Sequence, residues 1–173
     1  MASHTGHHGA LWPPLAPERD HVDGPASAAP TLLVFGAYAT PWSRRLGEVL
    51  DAARLTTRVA WRHYPDETAH PHAFAFALAA EAAATRGKFW VLTRELLKLR
   101  HDDPQDLHDA LVRAGLDPEW TLEAMRARTG AERIDADVAS ARASGVAFAP
   151  TLFVNGERYR GELDPAAITG RPR

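Results

Sequence analysis

The stretch FGAYATPWSRRLGEVL, residues 35–50, decides the fold because it runs from the end of a strand through a short turn into a helix. The run TLLVFG, residues 31–36, is continuously apolar and rich in branched and aromatic residues, which is typical of a buried strand. From about Pro41 to Ala53 the apolar residues follow helical spacing. Between them lies the turn Thr40-Pro41-Trp42-Ser43, in which Thr40 is a favourable N-cap and Pro41 a favourable first helical residue.

The segments that follow this turn predict the rest of the architecture. Alternation in RVAWRHY, residues 58–64, indicates a second strand, and residues 65 to about 144 have helical patterns with clear starts and stops. TLFVNGERYRG is typical of a hairpin in which an Asn155-Gly156 turn joins Thr151–Val154 to Glu157–Arg160. The order β-α-β, helical block, β-β predicts an α/β protein with a thioredoxin-like fold and a helical insertion at about residues 65–144.

Residues 1–30 contain proline, glycine, alanine and serine without strand or helix periodicity. We therefore expect a flexible N-terminal tail over 1–30 and one folded domain over 31–173. His4, His7 and His8 cluster in this tail, and imidazoles of this kind can bind a stray divalent metal. A tail without a specific role is the favoured interpretation.

Composition excludes several classes of function. The chain has no cysteine, which removes disulfides, thiolate nucleophiles, iron–sulfur clusters and thiolate zinc sites from this chain. A net charge of -2 gives no general attraction to nucleic acid or to an anionic membrane. The apolar run AFAFALAA, residues 73–80, is far too short to span a bilayer, and the first residues lack a secretory pattern. We expect a cytoplasmic protein without a cofactor.

Three motifs carry a resemblance to a known family. They are PERDHVDGPASAAPTLLVFGAY (17–38), WRHYPDETAHPHAFAFALAAEAAATRGKFW (61–90) and SGVAFAPTLFVNGERYRGELD (144–164). Together they resemble the DsbA-like disulfide oxidoreductases, above all short bacterial members that include domains appended to NhaA-type sodium/proton antiporters. The resemblance implies that Thr40–Ser43 occupies the place of a Cys-Pro-x-Cys motif, and that Ala149-Pro150 forms the cis-proline loop facing it. Two interpretations of Pro150 stay open: it leaves the backbone before it free to pair with an extended peptide, or it only shapes the turn.

Loss of both motif cysteines removes the redox mechanism, because disulfide exchange requires a thiolate. The leading interpretation is a binding module for an unidentified protein or extended peptide, with a groove formed by Thr40, Trp42, Ser43, Ala149 and Pro150. Trp42 is expected at the exposed rim of this groove. Thr40 and Ser43 leave two alternatives, a helix start without chemistry or a small polar site for an anion or peptide carbonyl.

A second interpretation belongs to another class. Kappa-class glutathione transferases and hydroxychromene-carboxylate isomerases have a related fold with a Ser-Pro-x-Ser-like turn, and Thr-Pro-Trp-Ser is similar to it. The turn would then support a glutathione thiolate, although residues 31–173 are few for that family. The final segment LDPAAITGRPR, residues 163–173, predicts only a short last helix. Either one face of the sheet is then less covered, which would favour a homodimer, or this segment folds differently.

Other polar residues have plainer interpretations. His63, His70 and His72 resemble a metal cluster only superficially, because a proline interrupts them and they lack helical zinc-pair spacing; we expect no metal site. Glu81 lies on an apolar helix face, where burial raises the pKa of an unpaired carboxyl and can make it a base. The favoured expectation is that Glu81 pairs with an arginine or caps a neighbouring element. Trp90 is expected to fill the core.

Overall fold

A mixed sheet forms the centre of the domain in the computed structural model, which describes residues 9–27 and 30–169. Within those residues the sheet has five strands in the order β1-β3-β2-β4-β5. Strands β2 and β3 are parallel, and the other neighbouring pairs are antiparallel. The strands are β1 (His21–Asp23), β2 (Thr31–Gly36), β3 (Arg58–His63), β4 (Thr151–Val154) and β5 (Glu157–Arg158).

Helices cover the sheet in the order that the sequence predicts. They are α1 (Ser43–Ala53), α2 (Ala73–Ala84), α3 (Phe89–Leu97), α4 (Pro104–Arg113), α5 (Pro118–Arg126), α6 (Ala131–Ala143) and α7 (Pro165–Thr169). Helix α1 joins β2 to β3, and α2 to α6 form the insertion before β4. The predicted fold class and insertion are thus confirmed. No helix in the described ranges is both long and apolar enough to cross a membrane.

The central strand β2 supplies both layers of the core. Leu32 and Val34 pack into the cluster that contains α1 and α3, whereas Leu33 and Phe35 pack against Phe153 on the opposite face. Alternate residues of a strand point to opposite faces, so a strand covered on both sides is apolar throughout. This arrangement explains why TLLVFG reads as a continuous apolar run.

The expected N-terminal tail is wrong for residues 9–27. His21–Asp23 pairs with Val59–Trp61 as an edge strand, and Leu11 is buried. The Leu11 N–H also donates to the Gly156 carbonyl at 2.8 Å. This segment therefore belongs to the folded domain. The predicted histidine cluster at His4, His7 and His8 lies outside the described residues.

A buried ion pair holds the N-terminal segment against the sheet. Arg62 Nε and Nη2 donate to the two carboxylate oxygens of Asp20 at 2.7 and 2.9 Å, and both side chains are fully buried. Arg62 Nη1 donates to Ser140 Oγ at 2.8 Å and to the Pro13 carbonyl at 2.9 Å, and Nη2 donates to the Pro14 carbonyl at 3.1 Å. Every donor nitrogen of the guanidinium therefore has an acceptor, as burial of a charge requires.

We expect Asp20→Ala to lower the free energy of unfolding by about 3–5 kcal/mol, because it leaves the Arg62 charge buried without its counter-ion. Urea denaturation followed by circular dichroism measures this difference. The control Asp135→Ala removes an exposed aspartate from α6 and should change stability by about 0.5 kcal/mol or less. Equal stabilities for the two variants would contradict the assignment.

Candidate functional site

The hydroxyls of Thr40 and Ser43 bond to each other beneath the surface. Their oxygens lie 3.0 Å apart, and the Thr40 N–H also donates to Ser43 Oγ at 2.9 Å. Ser43 Oγ is 3.4 Å from the Ala37 carbonyl, to which it donates. Thr40 is 8% exposed and Ser43 is 1% exposed. The two side chains thus satisfy one another in a closed hydrogen-bond network.

This network changes how helix α1 begins. The helix starts at Ser43, and Trp42 is the residue at its N-cap position, without a side-chain cap bond. The predicted capping role of Thr40 is therefore wrong, because its hydroxyl bonds to the Ser43 hydroxyl rather than to a helix N–H. Pro41 and Trp42 form a turn ahead of the helix instead.

A surface groove brings Trp42 together with the proline loop. Ala149-Pro150 is a cis peptide bond, and both residues line a groove of about 560 Å³ with Trp42 and Phe148. Trp42 is 58% exposed, as expected for a residue at the rim. The buried residues Thr40 and Ser43 do not line this groove. Of the predicted site residues, Trp42, Ala149 and Pro150 therefore form the accessible surface.

Phe148 is a groove residue that sequence reasoning missed. Its side chain is 62% exposed, the largest exposed fraction of any aromatic residue in the described ranges. The Thr151 hydroxyl donates to the Phe148 carbonyl at 2.7 Å and helps to fix the loop. The available signal was a lone phenylalanine among small residues in SGVAFAP. This segment has no helix or strand periodicity that would predict burial of Phe148.

A second polar cluster lies inside the domain, around Glu81. Glu81 Oε1 accepts hydrogen bonds from His21 Nε2 at 2.7 Å and from His63 Nε2 at 2.9 Å, and Arg133 Nε lies 3.5 Å from Oε2. Burial by itself raises the pKa of this carboxyl, but the hydrogen bonds from both histidines outweigh burial and lower the pKa to about 2. Glu81 is therefore ionised and paired, and the alternative of a raised pKa is wrong. The expected arginine is present, although the histidines make the shorter contacts.

Hydrogen bonding around His63 bears on whether this cluster suits a metal. Donor atoms of His21, His63 and Glu81 all lie within 4.8 Å of one another. However, Trp61 Nε1 donates to His63 Nδ1 at 3.3 Å, which assigns the ring proton to Nε2, where it faces Glu81. A metal on Nε2 would force that proton onto Nδ1, against the Trp61 N–H. The geometry therefore favours a cluster of hydrogen bonds that links β1, β3 and α2 over a metal site.

The two other histidines considered with His63 stand apart from it. The His72 N–H donates to an Asp102 carboxylate oxygen at 3.0 Å at the start of α2. His70 and His72 are not among the residues whose donor atoms meet at Glu81. The three histidines of the sequence pattern therefore do not share one centre.

Comparison with known proteins places this geometry in a family context. Residues 58–171 match the DSBA-like thioredoxin domain family. The chain is 38% identical over 165 residues to the Na(+)/H(+) antiporter NhaA 1 of Mycolicibacterium gilvum (strain PYR-GCK), covering 91% of this chain and 27% of that protein. It is 37% identical over 167 residues to NhaA 3 of Salinispora tropica, covering 92% and 25%. The chain spans about a quarter of the length of these curated relatives.

Solved structures support the fold. BdbD from Bacillus subtilis in its oxidised form superposes with a TM-score of 0.77 at 18% identity, covering 94% of each chain. A thioredoxin-like oxidoreductase from Silicibacter pomeroyi DSS-3 gives a TM-score of 0.75 at 22% identity, covering 88% of this chain and 89% of the other. At these identities the likeness establishes the fold and leaves the chemistry to the residues present.

We expect the unmodified protein to match a no-protein control in an insulin-reduction assay, because Thr40 and Ser43 supply no sulfur. The double variant Thr40→Cys/Ser43→Cys should form a reducible disulfide, since the two hydroxyl oxygens already lie 3.0 Å apart. Thiol titration before and after mild oxidation measures closure. Either single cysteine variant serves as a control that cannot form an intramolecular bond, and a double variant that stays a dithiol would contradict the geometry.

The lowered pKa of Glu81 predicts a dependence of stability on pH. The ordinary value is 4.5 and the folded value is about 2, so the ionised carboxylate stabilises the fold above pH 4.5, and this contribution is lost as pH falls toward 2. Chemical denaturation of wild type and Glu81→Gln should show free energies of unfolding that differ by about 3 kcal/mol at neutral pH and converge near pH 2. Parallel curves would contradict the assignment.

Proposed function

The chain belongs to the DSBA-like thioredoxin domain family, and from this premise we propose that it is a non-redox module that binds an extended segment of another protein. The observation that carries the proposal is the groove shared by Trp42, Phe148 and the Ala149-Pro150 loop. Two large exposed aromatic side chains that line one groove are typical of an interaction surface.

The main chain of Ala149 offers a further contact for such a segment. Neither its N–H nor its C=O has a hydrogen-bond partner among the described residues, and the residue is half-buried beside the groove. An extended peptide can pair with free backbone groups of this kind, as in strand addition. The backbone would hold the peptide, and the aromatic side chains would select its side chains.

Redox activity is not part of the proposal, because the turn contains no sulfur atom that could form a disulfide. The chain has no cysteine, and an alcohol neither ionises in the range of an activated thiol nor forms a disulfide. A cytoplasmic location remains a prediction.

The glutathione-dependent alternative has weaker support. A thiol ligand needs an accessible hydroxyl donor, whereas Thr40 and Ser43 are 8% and 1% exposed and bond to each other. Glutathione binding and a homodimer stay as predictions that the experiment below can detect. Cation transport is not proposed, because the matched part covers only about a quarter of the antiporter relatives.

We expect a fluorescein-labelled octapeptide of alternating leucine and serine to bind with saturable anisotropy, and Trp42→Ala to weaken it at least about fivefold. Val112→Ala is the control. Val112 is exposed to a similar extent, 55% against 58% for Trp42, but it lies on α4 and does not line the groove. A thermal-shift assay with reduced glutathione runs in parallel, and sedimentation reports any dimer. Peptide affinity that is insensitive to Trp42→Ala would overturn the groove assignment, and stabilisation by glutathione alone would favour the alternative function.

A further inference from the structure

We propose that the segment bound in this groove is acidic at one end, with apolar residues over Trp42 and carboxylates over Arg158 and Arg160. This inference rests on the proposed function and specifies the chemistry of the partner. It comes from an uneven distribution of charge along the surface on either side of Pro150.

The groove extends beyond the proline loop along the β4–β5 hairpin. A second cavity of about 390 Å³ lies there, and it shares Phe148, Pro150, Gly161 and Leu163 with the first. Arg158 and Arg160 line this second part. The two cavities are therefore adjacent, and a ligand that spans both follows a path with Trp42 at one end and the two arginines at the other.

The arginine end carries positive charge that no ion pair within the described part of the chain neutralises. Arg158 Nη1 donates to the Gly145 carbonyl at 2.9 Å, and its guanidinium lies 5.9 Å from the Phe148 ring centroid, but it makes no ion pair there. Arg160 is exposed and has no hydrogen-bond or ion-pair partner in the described ranges. No aspartate or glutamate lines this cavity. Two guanidinium charges are thus available to a ligand.

The tryptophan end has a different electrostatic character. Arg45 lines it, but Arg45 Nη1 pairs with Glu48 Oε2 at 3.0 Å and Nε donates to the Leu163 carbonyl at 3.0 Å. Glu162 adds a carboxylate to the same end. Negative side chains of a bound segment are therefore disfavoured near Trp42 and favoured near the arginines, which gives the path a direction.

The two arginines lie close together in the chain and line the same cavity. Strand β5 ends at Arg158, Arg160 follows two residues later, and both side chains line the second cavity. The Tyr159 hydroxyl donates to the Glu162 carbonyl at 3.0 Å, and a Cβ added at Gly161 would clash with the Tyr159 ring. The wall that presents Arg160 is therefore held in place before any ligand arrives.

Three labelled octapeptides test the inference. They share a Leu-Ser-Leu-Ser half and carry Glu-Ser-Glu-Ser, Gln-Ser-Gln-Ser or Lys-Ser-Lys-Ser as the other half. At about 20 mM NaCl the glutamate peptide should bind about fivefold more tightly than the glutamine peptide, and the lysine peptide most weakly. Because exposed charges are screened by salt, the advantage should fall below about twofold at 0.5 M NaCl.

Charge reversal localises the preference. Arg160→Glu should shift the order in favour of the lysine peptide, and it should leave the fold intact because this side chain is exposed and has no partner in the described ranges. Arg126→Glu, at an exposed position on α5, is the matched control and should leave the order unchanged. A melting temperature for each variant confirms folding.

The outcomes separate this inference from the function on which it rests. Equal binding of all three peptides, weakened by Trp42→Ala, would overturn the acidic preference and leave the binding module standing. No binding by any of them would overturn both. A glutamate preference that survives Arg160→Glu unchanged would overturn the assignment to the arginine end.

Discussion

The ion pair between Arg62 and Asp20 is the constraint on which the rest of the domain depends. A guanidinium buried against a sheet is tolerated only if every donor finds an acceptor, and here the acceptors come from the N-terminal segment and from α6. Satisfying one buried charge therefore draws three distant parts of the chain together. His21, the neighbour of Asp20, is thereby placed next to Glu81. Its hydrogen bond to Glu81 connects the N-terminal segment to α2 of the helical insertion.

The register of the sheet, rather than any chemistry of the turn, positions the groove. Phe35 pairs with Thr151 across β2 and β4, so the residue before Thr151, Pro150, lies at the end of β2 from which the turn departs. This relation does not involve the side chains at positions 40 and 43. Two hydroxyls can occupy this buried place because they satisfy each other's hydrogen bonds, and the fold and the groove form around them.

Sequence patterns predicted those features whose cause is local. The apolar run of β2, the proline-led helices of the insertion and the Asn155-Gly156 turn each have such a cause, and the family likeness located the proline loop. The short strand His21–Asp23 was missed because pairing and a remote ion pair hold it, and neither leaves a periodic pattern. Glu81 was judged by its helix face, whereas its strongest partner, His21, lies 60 residues away in sequence. Contacts between distant residues set the polar clusters, and one sequence does not encode them as a spacing.

In the proposed function the groove holds its ligand by non-covalent contacts, because the chain has no cysteine and neither Thr40 nor Ser43 lines the groove. Three features contribute modestly: the aromatic surface at Trp42 and Phe148, the main chain of Ala149, which has no hydrogen-bond partner among the described residues, and the charge of the two arginines. Binding must first offset the freedom of motion that is lost on association. A small molecule that reaches one of these features gains too little. A segment long enough to reach all of them adds their contributions while incurring the association cost once, and the physical layout therefore favours an extended protein segment over a compact ligand.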